Sequence, residues 1–147
     1  MTDPLDDLAQ QMQSSIDREV RDSLGEGVYR RWKAPEYFGR MEDPDASAVL
    51  AGSCGDIMEI YLRVRDHRIT ACSFATTGCG PSLVSGSGAC ELALGRDLED
   101  AAAIEGADIL ELLGGLPSDK EHCAHLAAQT LREAVRGYWQ KDGPSRE

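Results

Sequence analysis

Five side chains in this 147-residue chain could share one piece of chemistry: Cys54, Asp56, Cys79, His122 and Cys123. Cys54 stands in "GSCGD", followed by Gly55 and the carboxylate of Asp56. Cys79 stands in "TTGCG", between two glycines, and Cys123 directly follows His122. Soft thiolates with an imidazole and a carboxylate form an inner shell suited to zinc or to an iron–sulfur cluster. There is no CxxC pair, so spacing alone leaves metal binding, thiol chemistry and plain burial all open. Any one of these cysteines taken singly would be read as a core residue, because cysteine is so often buried. Cys72, mid-strand beside Phe74, and Cys90, among Ala89, Leu92 and Ala93, are expected to be only that.

The elements around these residues put all three candidate thiols at element ends. From Ile57 the pattern has period two, with Ile60, Leu62 and Val64 on one side and Glu59, Tyr61, Arg63 and Arg65 on the other. A turn near Asp66 and His67 and a return strand from Arg68 to about Thr76 complete an antiparallel hairpin. Cys54 precedes its first strand. Cys79 follows its second, where Pro81 starts a helix running to about Leu94; a helix amino terminus favours the thiolate. Gly86 and Gly88 in that helix predict close packing. Short helices are expected over 98–104 and 108–113, then a loop, with Ser118 or Asp119 capping the last helix. That helix carries Cys123, Leu126, Ala127, Thr130, Leu131, Ala134 and Tyr138 on one face. Near the start, Leu5, Leu8, Met12, Ile16, Val20 and Leu24 trace one face of a helix that stops at Gly25 and Gly27. So long an apolar stripe needs a cover, and packing on its own domain is expected ahead of docking on a second copy or another protein. A short helical or irregular piece follows near 29–32, and residues 42–53, "EDPDASAVLAGS", read as a mobile loop. The expected class is α+β: a small antiparallel sheet, the hairpin with or without a third strand, packed against several helices, with an extra amino-terminal helix.

Composition narrows the function classes. With 15 basic and 26 acidic residues the net charge is −11, which argues against a nucleic-acid backbone as partner. The basic run Arg30, Arg31 and Lys33 could dock an acidic protein surface. No stretch is apolar enough for a membrane helix, and "MTDPLDDLAQQ" lacks the basic start and apolar run of a secretory signal, so the expected location is the cytoplasm. An odd count of five cysteines in such a setting predicts reduced thiols.

The motifs in order, "SCGD" before a strand, "GCG" after the hairpin and "HC" at the last helix, resemble the iron–sulfur scaffold family, IscU together with the amino-terminal domain of NifU. The resemblance runs from about Tyr29 to Tyr138 and includes "YRRWKAPEYFG" and "LGRDLEDAAAI". It implies a scaffold domain over 29–140, with residues 1–28 as a helical extension and 141–147 as a tail. It implies that Cys54, Cys79 and Cys123 receive sulfur and hold a [2Fe–2S] cluster, that Asp56 serves as a ligand that keeps the cluster labile, and that His122 completes the set. Apo members of the family often hold zinc in the same place. The implied partners are a cysteine desulfurase, recipient apo-proteins and a chaperone of the DnaK class, and the implied role is a scaffold, not an enzyme. Where the family's chaperone loop reads Leu-Pro-Pro-Val-Lys this chain has "LPSDK", keeping Leu116, Pro117 and Lys120 but replacing the middle pair with Ser118 and Asp119. The alternative is a zinc-bound sulfur acceptor like SufU. Such chains carry an insertion between the second and third cysteines and lack the histidine before the third. The interval from Cys79 to Cys123 has no such insertion, and His122 is present. A purely structural zinc module would need a closed four-cysteine set, which Cys72 and Cys90 are badly placed to complete.

Overall fold

Asp66 and His67 both adopt positive φ, 53° and 63°, at the tip of the hairpin. A two-residue turn of this hand matches the twist of the flanking strands, which is why it closes β2 (Ile57–Arg65) onto β3 (Arg68–Thr76). The register pairs Ile60 with Phe74 and Leu62 with Cys72, so the apolar residues of both strands share one face. In this computed structural model the described residues are 4–53, 55–78 and 80–142.

The preceding segment departs from expectation. Ala46–Ala51, placed in a loop by its small residues, is strand β1, antiparallel to β2 with Ala46 opposite Leu62 and Ala51 opposite Ile57. An Ala- and Ser-rich run has little strand preference of its own. Here the open edge of β2 supplies the hydrogen-bonding partners, and the sheet order is β1-β2-β3.

Before the sheet come α1 (Pro4–Leu24) and α2 (Glu26–Lys33); after it come α3 (Gly80–Ala93), α4 (Leu98–Ala102), α5 (Gly106–Leu113), a 3-10 turn (Ser118–Lys120) and α6 (Glu121–Asp142). α6 lies on β1 and β2, and α3 lies on β3 and packs against α5 and α6. Met58, Ile60, Leu62 and Phe74 from the sheet meet Val84 and Ala89 of α3 and Ala127, Leu131 and Ala134 of α6 in one core. α3 is buried nearly all round, and Gly86 within it is there for space. A Cβ on Gly86 would fall 2.3 Å from the Phe74 ring. Cys72 and Cys90 are both buried, as expected. The stretch after α2 is pinned to β3: Phe74 N–H donates to Tyr37 C=O, and Gly39 N–H donates to Phe74 C=O.

Two further expectations are corrected. α1 packs chiefly against α2, not over the core, and Leu5, Leu8, Met12 and Ile16 remain 72%, 52%, 58% and 45% exposed. Its ties are polar: Asp17 to Lys33 at 2.9 Å, Arg21 to Glu26 at 3.2 Å, and the Arg21 guanidinium 4.2 Å over the Tyr29 ring. The side chains of Val20 and Leu24 lie outside the described residues. The basic run is not a continuous patch: Arg30 is exposed, but Arg31 is buried and spends its guanidinium on both oxygens of Glu91 and the Gly27 carbonyl. Lys33 is taken by Asp17. Among the described residues no helix is long and apolar enough to cross a membrane.

Candidate metal centre

Four element ends meet at one end of the sheet. The turn before β2 is closed by Gly55 N–H to Gly52 C=O at 3.0 Å and Gly52 N–H to Asp56 C=O at 2.8 Å, with Gly55 at φ 91°. That positive φ is one that only glycine adopts without strain, and it turns the chain so that Asp56 heads into β2. The end of β3 is tied to the same place. Thr76 Oγ1 donates to the Ile57 carbonyl at 2.7 Å, Ile57 N–H donates to Thr77 Oγ1 at 2.9 Å, and Gly78 N–H donates to Thr76 Oγ1 at 3.1 Å. The first turns of α3 and α6 complete the group. A helix amino terminus favours negative charge nearby, which suits carboxylate and thiolate donors.

Within this frame Ser82, in the first turn of α3, places Oγ 3.1 Å from Asp56 Oδ2 and 3.6 Å from Cys123 Sγ. His122 Nε2 lies 3.7 Å from the same sulfur. Adjacent residues on a helix ordinarily point apart, so this contact means the imidazole folds back over its neighbour. Ser82 and Cys123 are buried, at 2% and 4% exposure, while Asp56 and His122 are half-buried. The Cys123 sulfur thus has the His122 nitrogen beside it and, through Ser82, the Asp56 carboxylate.

Cys54 and Cys79 lie outside the described residues, but the residues bracketing them do not. The bare backbone of Gly78 serves Ser82 and Asp56: a Cβ there would lie 2.3 Å from Ser82 Oγ and 2.8 Å from Asp56 Oδ2. At Gly80 the nearest neighbour of an added Cβ is the Trp32 indole, at 3.7 Å. Among the described residues no three His, Cys, Asp or Glu side chains form a set able to hold a metal ion. Asp56 and Cys123 are joined through Ser82, a residue that no motif singled out. Its only signal in the sequence is its place just after Pro81, in the first turn of a helix.

The remaining candidates sit apart. His125 rests its ring on Gly106, where a Cβ would be 2.2 Å from Nδ1, so it faces α5. His67 is exposed at the hairpin tip. Leu116 is half-buried, while Pro117 and, at the end of the 3-10 turn, Lys120 are exposed.

The model of the NifU-like N terminal domain matches residues 24–144. An iron-sulfur cluster assembly scaffold protein IscU of Archaeoglobus fulgidus is 39% identical over 117 residues, covering 79% of this chain and 76% of its own. The protein of the same description from Azotobacter vinelandii is 36% identical, covering 79% of this chain and 94% of its own. The crystal structure of a NifU-like protein (N-terminal) from Brucella abortus superposes with a TM-score of 0.65 at 19% identity, covering 83% of this chain and 98% of that one, and so shares the fold. With the family match spanning β1 to α6 and the motifs of the site inside it, the chain belongs to the NifU-like N-terminal domain family.

Proposed function

We propose that this protein is a scaffold on which an iron–sulfur cluster is assembled, and from which it is transferred to recipient proteins. The observation that carries the reading is the meeting of Asp56, Ser82, Cys123 and His122 at one spot, in a chain whose relatives are named iron–sulfur cluster assembly scaffold proteins. The cluster is cargo here, taken up and given away. In this proposal it is a [2Fe–2S] unit held by Cys54, Cys79 and Cys123 with Asp56 and His122, and zinc occupies the same donors in its absence. A hard carboxylate beside soft thiolates releases its metal more readily than a fourth thiolate would, which suits a cluster that must leave. Sulfur arrives from a cysteine desulfurase in the cytoplasm, where thiols stay reduced. A DnaK-class chaperone is the proposed partner of Leu116, Pro117 and Lys120. The scaffold work belongs to residues 29–140, with 1–28 and 141–147 as extension and tail. The approach of His122 to Cys123 supports the scaffold over a SufU-like zinc-bound sulfur acceptor, since that histidine is what such acceptors lack.

Anaerobic reconstitution with iron, cysteine and a desulfurase tests the proposal. The protein should develop sulfur-to-iron charge-transfer absorption and lose it to an added apo-ferredoxin, and Cys54→Ala and Cys79→Ala should each fail to develop it. Protein that binds zinc and takes up persulfide sulfur but never forms a transferable cluster would decide for the sulfur acceptor.

A further inference from the structure

The described part of the site closes on Ser82, whose hydroxyl touches two of the proposed donors from two other elements. At 2% exposure it has no access to bulk water, and its position is defined by Asp56 Oδ2 at 3.1 Å and Cys123 Sγ at 3.6 Å. Gly78 keeps the space clear, since any Cβ there would press on both Ser82 Oγ and Asp56 Oδ2. A serine hydroxyl has one hydrogen to donate and two lone pairs to accept with. It can therefore donate to the carboxylate while its oxygen stays against the sulfur, bridging groups that come from the turn before β2 and from α6. Without it, Asp56 would have to be ordered by the metal itself, and the entropy of fixing that side chain would be charged against binding.

We infer that Ser82 is a positioning residue: its hydroxyl holds the Asp56 carboxylate beside the Cys123 sulfur, so that an arriving metal ion meets an oxygen and a sulfur donor already paired. The inference rests on the proposed role of Asp56 and Cys123 as donors. It adds that the pair is preformed, and that a non-ligating hydroxyl preforms it. Groups that orient metal ligands in this way typically account for about 10- to 100-fold in metal affinity.

The test is an anaerobic titration of the full-length apo-protein with Co2+, whose thiolate charge-transfer and d–d bands report the donor set directly. Wild type, Ser82→Ala, Asp56→Ala and the double variant are compared, with thermal melts to establish that each is folded. Ser82→Ala should bind about 10- to 100-fold more weakly, with d–d bands moved toward those of Asp56→Ala. The double variant should bind no more weakly than Asp56→Ala alone, because Ser82 acts through that carboxylate. Ser82→Gly, the second variant, should repeat the loss, and Ser82→Thr, which keeps the hydroxyl, should recover most of the affinity. Wild-type affinity in a folded Ser82→Ala or Ser82→Gly protein overturns the inference. So do losses that multiply in the double variant, which would make the serine an independent packing contribution. Wild-type protein that gives no thiolate charge-transfer band removes the donor site itself and this inference with it. A normal wild-type band with an unaffected Ser82→Ala removes only the inference.

Discussion

Cys90 is fully buried in α3, and a hydrogen bond with Cys72, then burial, hold its thiol well above the ordinary value of 9.0. The folded-state value is raised, so the contribution to stability is intact below the ordinary thiol range. It is lost as pH rises through that range, because the unfolded chain then releases a proton that the folded chain keeps. Above the ordinary thiol value this single group makes stability fall by about 1.4 kcal/mol per pH unit. Cys90→Ala should cost about 1 kcal/mol of packing at neutral pH, yet flatten the alkaline decline. Urea melts at pH 7.5 and pH 10 compare the two; parallel declines in wild type and variant would show that the thiol titrates normally in the fold. Reconstitution should give the same iron content per chain in both, since neither Cys90 nor Cys72 belongs to the proposed donor set.

At the scale of elements, two helical glycines separate propensity from packing. Glycine in a helix interior costs about 1 kcal/mol relative to alanine, so substitution should help wherever a methyl group fits. At Gly137 in α6 nothing lies within 4 Å of an added Cβ, and the position is exposed. Gly137→Ala should therefore stabilise by up to about 1 kcal/mol. At Gly86 in α3 the added Cβ would meet the fully buried Phe74 ring at 2.3 Å, between a helix and a strand that cannot both give way. Overpacking of this kind costs about 1–3 kcal/mol and outweighs the propensity gain. Thermal melts should move the two variants in opposite directions; a stabilised Gly86→Ala would mean that α3 and β3 are less closely packed in solution. The close approach of α3 to β3 also bears on the site, since it places the first turn of α3 where Ser82 reaches Asp56.

For the whole molecule, the question is how far the domain depends on α1. The core is built from the sheet with α3, α5 and α6, while α1 leans on α2 and leaves Leu8, Met12 and Ile16 largely exposed. Its polar ties are at the surface, where ion pairs contribute little to stability. Deletion of residues 1–24 should therefore lower the melting temperature by only a few degrees and leave cluster reconstitution unchanged. A drop of more than about 10 °C would show that the helix closes onto the domain in solution, as its apolar stripe had suggested.

What the sequence determined by itself is what neighbouring residues encode. The alternation from Ile57, the Asp66–His67 turn, the Pro81 helix start and the stripe from Cys123 to Tyr138 are patterns of period and local dihedral preference, and each stands as an element in the fold. The candidate donors were legible in the same way, as residue types at element ends. The tertiary structure alone decided what depends on residues far apart in the chain. β1 is a strand because β2 offers it an edge, and Arg31 is buried because Glu91, 60 positions away, neutralises it. Ser82 joins Asp56 and Cys123 across 26 and 41 positions, and Gly78 is small because that bridge needs the room. Local preference cannot encode such contacts, because each partner's role exists only once packing has brought the other beside it.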